Sequence, residues 1–207
     1  MSAFNLLFIV AFLGSVLVFL RLGYLLLRGR LPVARRLAIR WVTAAGAYFA
    51  VLLTLSISQP VRVLPRNAPW CFDDWCISVD SVTHPPTISG ITPLGQWVVV
   101  SMTVSSRMQR GRQSEPDAFV YLRDSAGQRY QPSDAGVRAL ESSGLAGKPI
   151  TEFLEPAGSF QSRTAFDMPQ AVSGLVFVKE RRSRFPGVVI IGDPISLLHR
   201  PTVVPID

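Results

Sequence analysis

The stretch Arg28-Gly29-Arg30-Leu31-Pro32-Val33-Ala34-Arg35-Arg36-Leu37-Ala38-Ile39-Arg40 holds five arginines (Arg28, Arg30, Arg35, Arg36, Arg40) and no acidic residue, with an apolar run on either side. Apolar run, arginine-rich turn and apolar run is the pattern of a transmembrane hairpin. An excess of arginine in a short connection keeps it on the cytoplasmic side. Both termini, and everything after Gln59, are therefore expected on the periplasmic face of a bacterial inner membrane.

The first run, Ala3 to Leu27, is apolar apart from Asn5, scattered serines and Arg21. At 1.5 Å per residue, a helix of that length crosses a hydrocarbon layer of roughly 30 Å. A cleaved signal peptide fits less well, because no Lys or Arg precedes the apolar core, no A-x-A-like site follows it, and a second span comes next. Arg21, about two turns inside Arg28, is placed to snorkel towards the headgroups or to pair with a partner helix. The second span is predicted over Trp41 to Ile57, with residues 28–40 as the cytoplasmic loop and Ser58-Gln59-Pro60 as the stop. Gly46 with Ala50, and Ala11 with Ser15, each place small side chains one turn apart on a helix face, which permits close helix approach. These faces either pack on each other within the hairpin or receive helices of other integral membrane subunits.

A chain of 207 residues, 48% of them hydrophobic, accommodates the hairpin and one further domain rather than two. Its net charge of +7 invites a nucleic-acid reading, but Arg21 and the five arginines of the turn lie in the hairpin while all 14 acidic residues follow Gln59. The remaining domain is close to neutral. The basicity thus reports topology and leaves little charge for phosphates, so no nucleic-acid partner is expected.

Three prolines (Pro60, Pro65, Pro69) and two arginines make residues 59–70 read as an extended tether. Cys71 and Cys76, the only cysteines, lie close together in a compartment that the topology makes oxidising, and a small disulfide-closed loop is expected. From there to Asp207 the pattern alternates. Ile77, Val79 and Val82 begin it, followed by Trp97 to Val104, Phe119 to Leu122, Phe160 to Phe166, Leu175 to Val178 and Val188 to Ile191. Each run is short, β-branched or aromatic, and bounded by Gly, Pro, Asp or Ser, as in an antiparallel β-sandwich. Turns are expected at Asp124 to Gly127, Glu155 to Gly158 and Gly192 to Pro194. One short helix, capped by Ser133 or Asp134 and ended by Gly144, should interrupt the strands.

Several stretches of this domain carry a resemblance: Gly95-Gln96-Trp97-Val98-Val99-Val100; Phe119 to Asp124 with Gly127 and Tyr130; Leu154 to Gly158; Phe166-Asp167-Met168-Pro169; and Ile191-Gly192-Asp193 through Leu198-His199. In order and spacing, the chain resembles an uncharacterised bacterial family of extracytoplasmic immunoglobulin-like sandwiches, related in fold to a small secreted mycobacterial antigen. The resemblance implies the fold over roughly the last two thirds of the chain and brings no catalytic residues with it. A typical member is a lipoprotein or a single-span protein, and the hairpin departs from that.

Chemistry-bearing residues are sparse. His84 and His199 are the only histidines, and no G-x-S-x-G elbow, H-E-x-x-H helix or phosphate-binding glycine loop occurs. Asp73, Asp74 and Asp80 are the candidates for Ca²⁺, yet adjacent carboxylates in a loop are more often solvated turn formers, and a hard cation wants about six oxygens. Neither span contains the His that would hold a haem or pigment, so no cofactor is expected, and no small-molecule substrate is identified. The expected function is a non-enzymatic, membrane-anchored scaffold or accessory subunit of a larger inner-membrane assembly, of respiratory or photosynthetic type, in contact with lipid and other integral membrane subunits. The alternative is an extracytoplasmic ligand-binding or sensing module. A closed pocket between the sheets with inward polar groups would favour the alternative, and a solid aliphatic core with an exposed apolar edge would favour the scaffold.

Overall fold

The structure is a computed structural model that describes residues 3–170, 172–181, 187–191, 196–198 and 200–206. The chain divides into two units, one of Met1–Pro60 with Arg184–Arg200 and one of Val61–Ser183 with Pro201–Asp207.

The first unit is built on two helices, α1 (Ala3–Leu27) and α2 (Leu31–Ser58). Both are long and apolar enough to cross a membrane. Along α1, Leu6, Val10, Leu13, Leu17 and Leu20 are each more than half exposed, an extended apolar surface of the kind that marks a membrane or protein interaction face. The expected loop over 28–40 is not a loop. Only Arg28 to Arg30 connect the helices, and α2 starts at Leu31 rather than Trp41, with proline in its first turn. Proline there lacks only an N–H that has no helical partner anyway and pre-sets φ for the helix. Arg35, Arg36 and Arg40 therefore lie on helix. Phe19 packs on Trp41 with ring centroids 4.8 Å apart, which in an antiparallel pair puts Arg21 level with the end of α2 that carries Arg40. All six arginines of the hairpin thus form one basic band towards its closed end.

The strand expected over Val188 to Ile191 is instead a 3₁₀ turn at Gly187–Val189, and it belongs to the helical unit. The Tyr48 hydroxyl donates to the Val189 carbonyl at 2.6 Å, and Ser56 Oγ and Ser196 Oγ share a hydrogen bond at 3.1 Å. The stretch is apolar on every side chain, which a strand and a buried turn satisfy equally well, so the sequence pattern alone does not separate them. The expected turn at Gly192 to Pro194, and His199, lie outside the described residues.

The second unit is a sandwich of two four-stranded antiparallel sheets. One has the order β1 (Trp70–Phe72), β2 (Trp75–Thr83), β3 (Gln96–Ser106), β6 (Ser159–Met168), and the other β5 (Arg129–Tyr130), β4 (Ala118–Arg123), β7 (Val176–Arg181), β8 (Val204–Pro205). In immunoglobulin-like terms β2, β3 and β6 occupy the places of strands A, B and E, and β5, β4, β7 and β8 those of C′, C, F and G. Among the described residues no strand takes the place of D; there the chain forms α3 (Asp134–Ser142) and a loop. Alternate residues of both sheets meet in one core that includes Ile77, Val79, Val98, Val100, Met102, Val120, Leu122, Phe166 and Phe177. On the outer face of the first sheet α3 covers Trp97, Val99 and Ala165 with Ala139 and Leu140. Ser133 caps that helix as expected, its Oγ accepting from Gly136 N.

The sandwich begins earlier than residue 71. The expected tether is part of it from Val61 on. Val63 bridges to Val203, Leu64 N donates to Val203 O at 2.9 Å, and Asn67 N donates to Val79 O at 2.9 Å. Prolines at 60, 65 and 69 suit an extended chain, but extended backbone beside a sheet edge also finds ladder partners, and Leu64 supplies an apolar anchor to the core.

Candidate functional site

Within the hairpin the small-residue faces are used unequally. Ser15 Oγ donates to the Ala11 carbonyl one turn back at 2.8 Å and accepts from Trp41 Nε1 at 3.1 Å, so the Ala11/Ser15 face is engaged by α2. On α2 the seam runs through Ala34, Ala38, Trp41, Ala45 and Tyr48, whereas Gly46 and Ala50 are exposed. No side chain lies close to Gly46. A groove of about 550 Å³ opens between the helices, walled by Phe8, Phe12, Ala45 and Tyr48 among others. The seam signal that sequence reasoning missed is Ala34-x-x-x-Ala38 with Ala45, hidden because Ala34 and Ala38 fell in the supposed loop.

At one end of the sandwich lies a group the sequence analysis did not single out. Lys179 of β7 is 1% exposed. Its Nζ donates to the Trp70 carbonyl at 2.7 Å and lies 3.8 Å from the centroid of the Phe72 ring, 4.7 Å from that of Trp70 and 5.0 Å from that of Trp75. An ammonium so enclosed trades water for protein partners, the π faces and the Trp70 carbonyl among them. Because β7 belongs to one sheet and β1 to the other, the side chain ties the two layers together. Strand alternation was the available signal: Lys179 has the parity of Phe177, which points into the core. The aromatic box is filled by the chain's own cation and offers no vacant place to another.

The box is anchored by the disulfide. Cys71 and Cys76 face each other across the β1–β2 hairpin and are joined. Asp73 and Asp74 form its two-residue turn, Asp73 with φ of 50°, a conformation that Asp tolerates better than most residues. Both are exposed. Asp80, six residues further along β2, is about 20 Å from them at strand rise. It sits at a bulge where the register with β3 shifts, and its carboxylate accepts from Ser78 Oγ at 3.3 Å and Thr103 Oγ1 at 2.7 Å. The three carboxylates therefore do not converge on one cation. Among the described residues no group of three or more His, Cys, Asp or Glu comes together, and His84 is exposed in the connection after β2.

On the outer face of the second sheet, Tyr121 is buried and its hydroxyl donates to Glu180 Oε1 at 2.7 Å. The Arg129 guanidinium lies 4.7 Å from the centroid of its ring and 3.8 Å from Glu180 Oε2. Burial, and then the bond to Glu180, push the Tyr121 phenol well above its usual value. The surroundings stabilise a neutral phenol and would oppose its use as a base.

No family model matches the chain, and no curated protein matches it. Three solved structures are similar in part. The secreted protein MPT63 of Mycobacterium tuberculosis is 12% identical, with a TM-score of 0.43, over 60% of this chain and 93% of its own. The yjhA protein of Bacillus subtilis is 13% identical, with a TM-score of 0.43, over 69% and 98%. An uncharacterised β-sandwich protein of Clostridium difficile is 7% identical, with a TM-score of 0.43, over 72% and 97%.

Proposed function

We propose that this chain is a non-enzymatic accessory or scaffold subunit of a larger bacterial inner-membrane assembly, anchored by its hairpin in lipid and among other integral membrane subunits. The basic band at the closed end of the hairpin is cytoplasmic in this reading, and the sandwich lies on the periplasmic face. Assemblies built of many packed spans, such as respiratory or photosynthetic complexes, offer the helices that such a subunit would meet. The observation that carries the reading is the exposed Gly46/Ala50 face of α2. The hairpin makes its own seam through other residues and leaves the closest-approach surface of its second span unused.

The test is co-purification of the full chain in mild detergent. Gly46 has open space around it, so Gly46→Leu combined with Ala50→Leu should leave insertion and abundance at wild-type levels while partner subunits are lost. Retention of the same partners by that variant would overturn the assignment of this face.

A further inference from the structure

Where an immunoglobulin-like strand D would lie, the sandwich has an opening. β5 pairs only with Leu122 and Arg123, which among the described residues leaves the Ala118–Tyr121 part of β4 without a strand on that side. Opposite, β6 is met only by a short loop. Arg163 N donates to Ala146 O at 2.7 Å and Lys148 N to Gln161 O at 3.0 Å, and Gly147 between them has φ of +72° and rides so close on the Gln161 carbonyl that no Cβ would fit. Between these edges lies a half-open cleft of about 340 Å³, walled by Met102, Val120, Val137 and Ile150.

Its floor is polar. Ser162 and Thr164 line the cleft, and on β6 they share the parity of Phe160 and Phe166, which pack on the core between the sheets. Ser162 is 4% exposed and Thr164 8%. Neither hydroxyl has a hydrogen-bond partner among the described residues, and the one sealed side-chain polar atom lacking a partner there is Trp75 Nε1, so both hydroxyls open onto the cleft. Hydroxyls that open onto a cleft are completed there by water or by a ligand that displaces it. They give the floor hydrogen-bonding capacity that apolar residues at these two positions would lack.

The geometry points to a binding site for a neutral, largely apolar small molecule carrying a hydrogen-bonding group such as a phenol, alcohol or amide. The apolar walls and a volume near the lower end of the usual range for ligand pockets argue for a compact, ring-sized molecule. Charge argues for neutrality. Glu141, Lys148 and Arg163 stand exposed at the mouth. Arg163 donates to the Leu145 carbonyl at 3.2 Å, and the Lys148 ammonium lies 5.9 Å from the centroid of the Phe160 ring. The charged residues of the lining, Glu141, Lys148 and Arg163, are exposed while Ser162 and Thr164 are buried, so an ionised ligand seated on the two hydroxyls would lose hydration with its countercharges left in solvent. This site is independent of the α2 face.

The experiment titrates 4-fluorophenol, 4-fluorobenzamide and the anionic 4-fluorobenzoate into the full chain in lipid nanodiscs, read by ¹⁹F line broadening against empty nanodiscs. Saturable binding of the two neutral probes is expected, with the benzoate weaker by about tenfold. Replacing Ser162→Ala together with Thr164→Val keeps shape and removes both hydroxyls, and should weaken the neutral probes by about fivefold, the loss of one net hydrogen bond. Val137→Trp should fill the cleft and abolish binding. The inference is overturned if neither neutral probe saturates, if Val137→Trp binds as the wild type does, or if the hydroxyl-free variant binds unchanged.

Discussion

Lys179 shows how a single side chain can be essential to a core and yet replaceable in kind. Its stem fills space between the sheets and its ammonium satisfies the Trp70 carbonyl among three rings. Lys179→Ala leaves both a cavity and an orphaned acceptor, and should cost the sandwich about 3 kcal/mol in denaturant unfolding followed by tryptophan fluorescence. Lys179→Met keeps the volume and removes the charge that had to be desolvated, but it leaves the Trp70 carbonyl without its donor, so a loss of about 1–2 kcal/mol, smaller than that of the alanine variant, is expected. Tyr121 adds a pH dependence. A phenol whose folded pKa is raised contributes stability that is complete below the unfolded value of about 10 and is lost as pH rises from there through the raised folded value. Unfolding midpoints should therefore fall on the alkaline side of pH 10, and Tyr121→Phe should flatten that fall.

At the level of elements, α3 sets helix propensity against packing. Gly136 lies in the first turn of α3, where alanine would still be the better helix former, by up to about 1 kcal/mol. Here an added Cβ would stand 2.8 Å from both the Ala165 Cβ and the Trp97 ring. The helix approaches the sheet this closely because there is no side chain at 136, and Trp97 is held in place by its Nε1 bond to the Ile91 carbonyl at 3.1 Å. Gly136→Ala should therefore destabilise, by about 1–2 kcal/mol, with overpacking outweighing propensity; a gain in thermal midpoint would show that α3 moves away freely. The resembling motifs also explain themselves at this scale. The Asp167 carboxylate accepts from Leu94 N at 2.8 Å and Gly95 N at 3.0 Å, which joins two of those stretches, and Asp124 accepts from Gln128 N at 2.8 Å and from the Tyr130 hydroxyl at 3.0 Å. In this fold both carboxylates fix turns, Asp167 the approach to β3 and Asp124 the turn between β4 and β5.

For the molecule as a whole, the arginine band makes an orientation test direct. A single cysteine introduced at Val33, in a background where Cys71 and Cys76 stay paired, should be labelled only after the cytoplasmic side is opened. One introduced at Ser125, on the turn after β4, should be labelled in intact cells by an impermeant reagent. The reverse pattern would invert the topology on which the proposed function stands.

The hairpin and the sandwich were legible as pattern. A period of two with turn residues between runs, and two apolar runs about an arginine cluster, depend on local chemistry that the residues carry wherever they sit. What the chain order could not convey is which of several compatible environments a segment meets. Residues 28–40 suit both a basic loop and the first turns of a helix, and packing of Ala34 and Leu25, each 4% exposed, accompanies the helix. Val188 to Ile191 satisfy a strand or a buried turn, and Tyr48 gives the turn a donor. Residues 61–69 are extended in either reading, and Val203 and Val79 supply the ladder partners that make them part of the sandwich. The same holds for the candidate sites. Lys179, Ser162 and Thr164 are unremarkable in sequence because their meaning rests on burial and on partners found or missing across the sheets, which are contacts between residues distant along the chain.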